Sequence, residues 1–273
     1  MNSRNMQVIG LCRFSYPAIG GFQVEHASVP EREAYLYAPE RMEERFRTFE
    51  SFTLPPLRAQ TDPDFTFLVI IGKSLPDPYR QRLAALLANL PQAVIQEHEP
   101  GRHRDVMKAA INAVRETSDL PSLQFRMDDD DAVSVNFVER LREAANDIRP
   151  LIRRNRYVGI DFNQGFVARP GADGVGVRAV VETLWTPALA VAVKPRASRG
   201  VMNFSHAKLC RSMPVLSLTG EFMFVRGHNE FNDSRQTRDL KPPRVSLLDK
   251  GGEAYFKENF NIDAAHVRAL YAT

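Results

Sequence analysis

Four consecutive carboxylates, Asp128-Asp129-Asp130-Asp131, follow the apolar segment Leu123 to Met127, and no other stretch of this sequence demands a chemical explanation as strongly. Like charges this close repel one another unless cations or hydrogen-bond donors share the site. As far as the strand period holds, Asp128 and Asp130 project to one side and Asp129 and Asp131 to the other. Two carboxylates at i and i+2 suit a hard divalent ion, Mn2+ or Mg2+, whose remaining ligands are diphosphate oxygens and water. The competing reading is a solvated acidic turn that caps the next helix, a role open to Asp131. Capping takes one or two acids, however, and this run has four. Cations stand close by. Arg126 is separated from the acids by one residue, where it pairs either with phosphate or with the cluster itself. Arg102, His103 and Arg104 open a helix, whose free N–H groups favour an anion, although a charged first turn is equally ordinary on a surface helix. Arg13, directly after the first strand, reaches either a nucleotide or a surface salt bridge.

The elements that must position these groups alternate. Gln7 to Cys12 is a short apolar run of the kind that makes a buried strand, followed by a loop with Gly and Pro from Arg13 to Gly21. Pro39 suits a first helical turn, and Met42, Phe46 and Phe49 recur at helical spacing until Pro55-Pro56, which forbids continuation. Phe65 to Ile71 reads as a strand, Tyr79 to Leu90 as a helix, Ala93 to Ile95 as a strand, about Arg104 to Glu116 as a helix and Leu123 to Met127 as a strand. This alternation predicts an α/β fold with a largely parallel central sheet flanked by helices. In such a sheet ligands bind beyond the carboxyl ends of the strands, where the acids lie. Phe137, Leu141, Ala144 and Ile148 then form a helical stripe ending near Pro150. The second half is less regular and more β-rich: Asn163-Gln164-Gly165 within Tyr157 to Ala168 predicts a hairpin, and Thr183 to Val193 and Phe222 to Val225 add strands. The polar, basic tail from Asp233 to Gly252 predicts a long loop. No repeat or long linker divides the chain, so one domain is expected over residues 1–273, with lobes of about 7–131 and 132–273.

Composition narrows the partners. The 273 residues carry 36 Lys+Arg against 33 Asp+Glu, a formal net charge of +3, which gives nucleic-acid binding no global support. Basic segments at Arg149 to Arg156 and Lys194 to Arg199 lack interleaved aromatics, so no nucleic-acid partner is expected. They remain able to touch anionic lipid heads at the inner membrane surface or an acidic glycan, although such runs are usually solvated faces. No apolar run approaches the roughly 18–20 residues of a spanning helix, and the N-terminus leads into no signal-like core, so a cytoplasmic location is expected. Cys12 and Cys210 are too few for a disulfide framework and read as reduced core or pocket thiols.

Asp128 to Asp131 after Phe125-Arg126-Met127 resembles the Asp-x-Asp motif of nucleotide-sugar glycosyltransferases with the GT-A fold. Thr53-Leu54-Pro55-Pro56-Leu57-Arg58-Ala59-Gln60-Thr61-Asp62-Pro63-Asp64-Phe65 is similar to the segment before the second strand in the large inverting family. Together with Arg13-Phe14-Ser15 and His228-Asn229, these pieces resemble the rhamnosyltransferase family of bacterial surface-polysaccharide loci, from about Arg13 to Asn229. One departure is Gly72-Lys73-Ser74, where the broad family carries an acidic pair that contacts base or ribose.

The resemblance implies a GT-A-like domain in which the first lobe binds a nucleoside-diphosphate sugar and the second receives a glycan or lipid-linked saccharide. It implies that Arg13, Arg104, Arg126, Asp128 and Asp129 contact the donor, and that Asp128, Asp130 and Asp131 hold the metal with His228 as a further ligand; His206 is the runner-up for that histidine. Inverting transfer needs a base for the acceptor hydroxyl. Glu221 occupies the region where the broad family places its acid, and Asp161 competes with it. Trp185 and Phe162 are candidates to stack on a sugar face, against the commoner fate of a core aromatic. Two other functions remain open: a metal-dependent phosphohydrolase, and a non-catalytic nucleotide- or glycan-binding protein of the same fold.

Overall fold

The apolar run that opens the chain is buried on both faces, which decides its place. In β1 (Val8–Arg13), Val8 and Cys12 pack with Phe46, Phe67, Phe125 and Phe137, while Ile9 and Leu11 pack with Leu68, Met107 and Ile111. A strand apolar on both sides belongs in the middle of a helix-covered parallel sheet. The structure, a computed structural model, describes residues 5–20, 26–228 and 244–272. After β1 come α1 (Val29–Leu36), α2 (Pro39–Thr48), a five-residue π turn (Phe49–Thr53), α3 (Leu54–Arg58), β2 (Thr66–Gly72), α4 (Asp77–Leu87), β3 (Ala93–His98), α5 (His103–Val114) and β4 (Ser122–Met127). The remainder comprises β5 (Ala132–Val133), α6 (Phe137–Asp147), α7 (Arg149–Arg154), β6 (Tyr157–Phe162), β7 (Gln164–Gly171), β8 (Gly174–Val181), β9 (Leu189–Val193), β10 (Val215–Leu218), β11 (Phe224–Gly227), β12 (Ser246–Leu247), α8 (Lys250–Phe260) and α9 (Ala264–Tyr271).

Among the described residues the main sheet has the order β10-β6-β9-β4-β1-β2-β3, parallel throughout except for β9, which runs against both neighbours. A second, mostly antiparallel sheet runs β12-β8-β7-β11-β5. The expected α/β class, with a mostly parallel sheet flanked by helices and a more β-rich second half, is the one observed. Register positions the site: Cys12 lies opposite Met127, so the chain leaves β1 at Arg13 and β4 at Asp128 side by side on one edge. A third apolar cluster, including Phe52, Val225, Phe256, Phe260 and Val267, fixes α8 and α9 to the second sheet.

Several expectations are corrected. Pro55-Pro56 does not end the helical run: the chain passes through the π turn into α3, whose first turn holds both prolines, where their missing N–H groups are not needed. Asn163-Gln164-Gly165 is no hairpin turn. β6 ends in the main sheet, β7 begins in the second, and the hairpin partner of β7 is β8, an element the sequence reading lacks. Gly165 is required for close approach rather than for turning, since a Cβ there would lie 2.5 Å from the ring and carbonyl oxygen of Phe224. Thr183 to Val193 is strand only from Leu189. The long loop expected for Asp233 to Gly252 gives way to β12 and to α8, capped by Asp249, whose side chain accepts the Gly252 N–H at 2.7 Å. Residues 233–243 of that expectation lie outside the described residues.

Because Phe224 crowds Gly165, Gly165→Ala is expected to destabilise by about 1–3 kcal/mol, at roughly 2–4 °C of melting temperature per kcal/mol. Gly171→Ala, with nothing within 4 Å of the added methyl, serves as the control and should melt near wild type.

Candidate active site at the carboxyl edge of the main sheet

The acid loop between β4 and β5 is held from both sides. Within it, the Asp131 N–H donates to the Asp128 carbonyl at 3.2 Å, and the Asp131 side chain accepts the Asp128 N–H at 3.1 Å and the Gly227 N–H at 3.3 Å. Gly227, the last residue of β11, presses so closely on the loop that a Cβ would run into the Asp130 carbonyl. On the opposite side the hydroxyls of Thr48 and Thr53 donate to the carbonyls of Asp129 and Asp131 at 3.4 and 2.9 Å. Arg45 of α2 forms a buried ion pair with Asp129.

The four acids therefore divide, and not by strand period. Asp129 turns to Arg45, whereas Asp128, Asp130 and Asp131 bring carboxylate oxygens within 4.8 Å of one another because the loop turns before Asp131. Asp128 is exposed; Asp130 and Asp131 are buried. Burial, then the charges of Asp131, Asp129 and Asp128, pushes the Asp130 carboxyl well above its ordinary range. Burial and Asp128 raise Asp131 as well, against Arg226 and two backbone donors. Three hard oxygen donors with unfavourable mutual repulsion fit Mn2+ or Mg2+.

Next to the trio stands positive charge. Arg13 lies 3.6 Å from Asp128, and Arg126 is depressed by burial, offset in part by Asp128, the mark of a guanidinium short of counter-charge. His103, the first residue of α5, is buried, and its Nε2 meets no hydrogen-bond partner among the described residues. Burial, followed by Arg13, Arg126 and Arg104, drives it down to about 3, so the ring is neutral. Sequence reasoning gave His103 no role of its own; its position between two arginines at a helix start is the signal that marks it. It also missed Arg45, buried with Arg41 on the apolar side of a helix whose composition is otherwise highly charged.

The other candidates are distributed as follows. Arg104 is exposed, with its carbonyl accepting from Asn203 at 3.1 Å. Glu221 stands away from the trio: it pairs with Arg140, which lines a cleft with Thr61 and Asp62 ahead of β2, while the other end of β11 carries Gly227 to the acids. Asp161 is fully buried near the end of β6, where its Oδ2 accepts the Ser217 hydroxyl at 2.6 Å and the Leu184 N–H at 3.0 Å. Its pKa is raised by burial. His228 follows Gly227 but is not among the atoms clustered within 4.8 Å; its pKa is lowered by burial and by Arg169 and Arg226. Asn229 lies outside the described residues. Trp185 sits beneath the Arg226 guanidinium, 4.6 Å from the ring centroid, and Phe162 is core, packed edge-on against Phe137 at 5.9 Å. Cys12 is buried, whereas Cys210, expected in core or pocket, is exposed.

An α/β sheet carrying this acidic and cationic edge is matched in sequence by a glycosyltransferase family. Its profile, described as "Putative rhamnosyl transferase", covers residues 7–240, and the chain belongs to that family. No curated protein matches the chain in sequence. Among solved structures, S. aureus TarS 1-349 is similar at 10% identity and a TM-score of 0.44, covering 81% of this chain and 60% of that one. The same protein in complex with UDP-GlcNAc matches at 11% identity and 0.44, covering 98% and 70%, and in complex with UDP at 10% and 0.44, covering 82% and 61%. In the first and third of these matches the chain spans less than two thirds of the TarS chain.

Two outcomes follow from the loop. A carboxyl with a raised folded pKa binds more protons folded than unfolded, so its contribution to stability falls as pH rises above about 4, the unfolded aspartate value. Asp130→Asn is therefore expected to melt above metal-free wild type, by a margin that widens from pH 4 to 8, and to lose any Mn2+-induced rise in melting temperature. Arg45→Met leaves Asp129 buried without its cation and is expected to cost about 3–5 kcal/mol by denaturant unfolding, part of it regained in Arg45→Met/Asp129→Asn.

Proposed function

We propose that this chain is a metal-dependent, inverting glycosyltransferase that moves a sugar, rhamnose by the family's description, from a nucleoside diphosphate to a glycan or lipid-linked acceptor. The observation that carries this reading is the meeting of opposite charges on one sheet edge: three carboxylates within 4.8 Å of one another, and Arg13 3.6 Å from the first of them. Asp128, Asp130 and Asp131 would hold Mn2+ or Mg2+, which supplies charge neutralisation to the departing diphosphate. Arg13 and Arg126 take the diphosphate oxygens from the other side, with the α5 N-terminus and Arg104 adding positive potential. Asp129 acts through the loop it anchors to Arg45. In this reading residues of about 7–131 bind the donor and about 132–273 the acceptor, within one domain.

Peripheral contact with the inner membrane surface belongs to the same reading, and the basic segments support it. The Lys194 ammonium donates to the Arg153 carbonyl at 2.7 Å, which joins the two basic segments into one patch with exposed Arg153, Arg154, Arg156 and Arg196. That patch lies at the start of β6 and the end of β9, the sheet edge opposite the acids. Docking there on anionic lipid at the cytoplasmic face would turn the acidic edge away from the bilayer. Among the described residues no helix is long and apolar enough to cross a membrane.

The test is thermal shift with uridine, thymidine and guanosine diphosphates, each with and without Mn2+, followed by turnover of the corresponding nucleotide sugars. Stabilisation that needs nucleotide and Mn2+ together, and turnover stimulated by glycoside acceptors, is the expected result. Turnover indifferent to acceptor would make the protein a phosphohydrolase. Binding without turnover would make it a carrier of the fold alone, and no Mn2+-dependent stabilisation by any nucleotide would remove the reading.

A further inference from the structure

Inverting transfer requires a proton acceptor beside the donor site, and the two acids expected to serve are engaged elsewhere. Glu221 is ion-paired with Arg140, and Asp161 is fully buried with one oxygen holding Ser217 and Leu184. Asp161 nevertheless acts at a distance. Leu184, whose N–H it receives, adopts φ +61°, a left-handed conformation costly for a branched residue and kept only where the surroundings fix it. The carbonyl of the same Leu184 lies 2.7 Å from Nδ1 of His206.

That contact settles the tautomer. A carbonyl only accepts, so Nδ1 carries the proton and the lone pair of the neutral ring is on Nε2. Among the described residues none hydrogen-bonds Nε2, which is not sealed from solvent as His103 Nε2 is. Geometry puts the ring at the same edge as the acids: Leu184, which holds it, is tied to Asp161 near the carboxyl end of β6, and Met202, four residues before His206, has its Sδ 4.0 Å from the Arg126 guanidinium. Burial and Arg126 lower its pKa, in keeping with a neutral ring.

We propose that His206 is the group that receives the acceptor hydroxyl proton, with Asp161 a positioning residue that acts through Leu184. This rests on the glycosyltransferase reading above. The acceptor O–H proton passes to His206 Nε2 as the acceptor oxygen bonds to the anomeric carbon. The bond from that carbon to the diphosphate oxygen breaks, and its electron pair leaves with the diphosphate toward Arg13 and Arg126. The imidazolium then returns its proton to water. The arrangement matches the nucleophile–base–orienter logic of hydrolytic sites, with a backbone carbonyl in place of the orienting carboxylate.

The experiment uses the full chain with Mn2+, uridine, thymidine and guanosine diphosphate sugars, and methyl glycosides as acceptors, reading nucleoside diphosphate release. His206→Asn keeps an N–H for the Leu184 carbonyl but has no basic nitrogen. It is expected to lower kcat by about 100-fold or more, while donor KM and nucleoside diphosphate affinity stay within about threefold. Asp161→Ala is expected to lower kcat about tenfold or more, and Asp161→Asn, which retains an oxygen for Leu184, to recover most of that loss. A wild-type kcat in His206→Asn overturns the inference and leaves the transferase reading intact. So does an Asp161→Asn variant as inactive as Asp161→Ala at an unchanged melting temperature, because the carboxylate itself would then be the base. If wild type neither binds nor turns over any donor, the functional reading fails first and this one with it.

Discussion

The buried ion pair between Arg45 and Asp129 is the interaction on which the site depends. Four adjacent carboxylates on one loop cannot all face one point without large repulsion. Giving one of them a cation of its own removes it from the crowd and anchors the loop at the same time. What remains is a trio whose repulsion Arg13, Arg226 and the backbone donors relieve only in part, and an ordered loop in that condition suits the cation proposed for it. The π turn belongs to this device. It lets one continuous helical run send Phe49 into the first core, Phe52 into the third and Thr53 to the Asp131 carbonyl. Such irregular turns often occur where a helix serves a site rather than only a core.

The acids and Arg126 leave the end of one strand, and the rest of the site is brought to them from other parts of the fold. The trio is braced by α2, the π turn and β11, while Arg13, Arg126 and His103 come from β1, β4 and α5, elements built on the main sheet. Parallel register between β1 and β4 brings Arg13 to the acids, since it aligns the ends of both strands on one edge. A neutral His103 among three arginines adds no charge to the cationic side, so it fills the space between them without deepening their repulsion.

The first half of the fold was legible in the sequence because β1, β2 and β4 are buried on both faces and the helices between them on one, so that run length and periodicity separate the two. The acidic cluster was legible for a simpler reason: four like charges need a cause. The second half was harder. Asn163-Gln164-Gly165 carries the composition of a turn, yet Gly165 answers to the Phe224 ring, a contact 59 residues away in sequence that no local pattern encodes. The helices α8 and α9 begin at Asp249 and Asp263, each with a capping side chain. Those caps are visible in the sequence, but the polar stretch before Asp249 masks the start of the first. The acid candidates Glu221 and Asp161 were chosen by chemical type and region, and type does not report that an arginine or a backbone N–H already occupies the carboxylate.

The passage from β6 to β7 carries a consequence for motion. One residue, Asn163, separates a strand of the main sheet from a strand of the second, and it is tied on both sides: its N–H donates to the Leu218 carbonyl at 3.0 Å and its own carbonyl accepts the Glu182 N–H at 2.7 Å. A joint of one hydrogen-bonded residue is a weld, not a hinge. Force applied to the second sheet, by a bound acceptor for instance, is passed into β6 and its neighbours as displacement of the whole body. The two sheets, and with them the loop that β11 braces, are thus joined through a hydrogen-bonded backbone residue rather than a free loop.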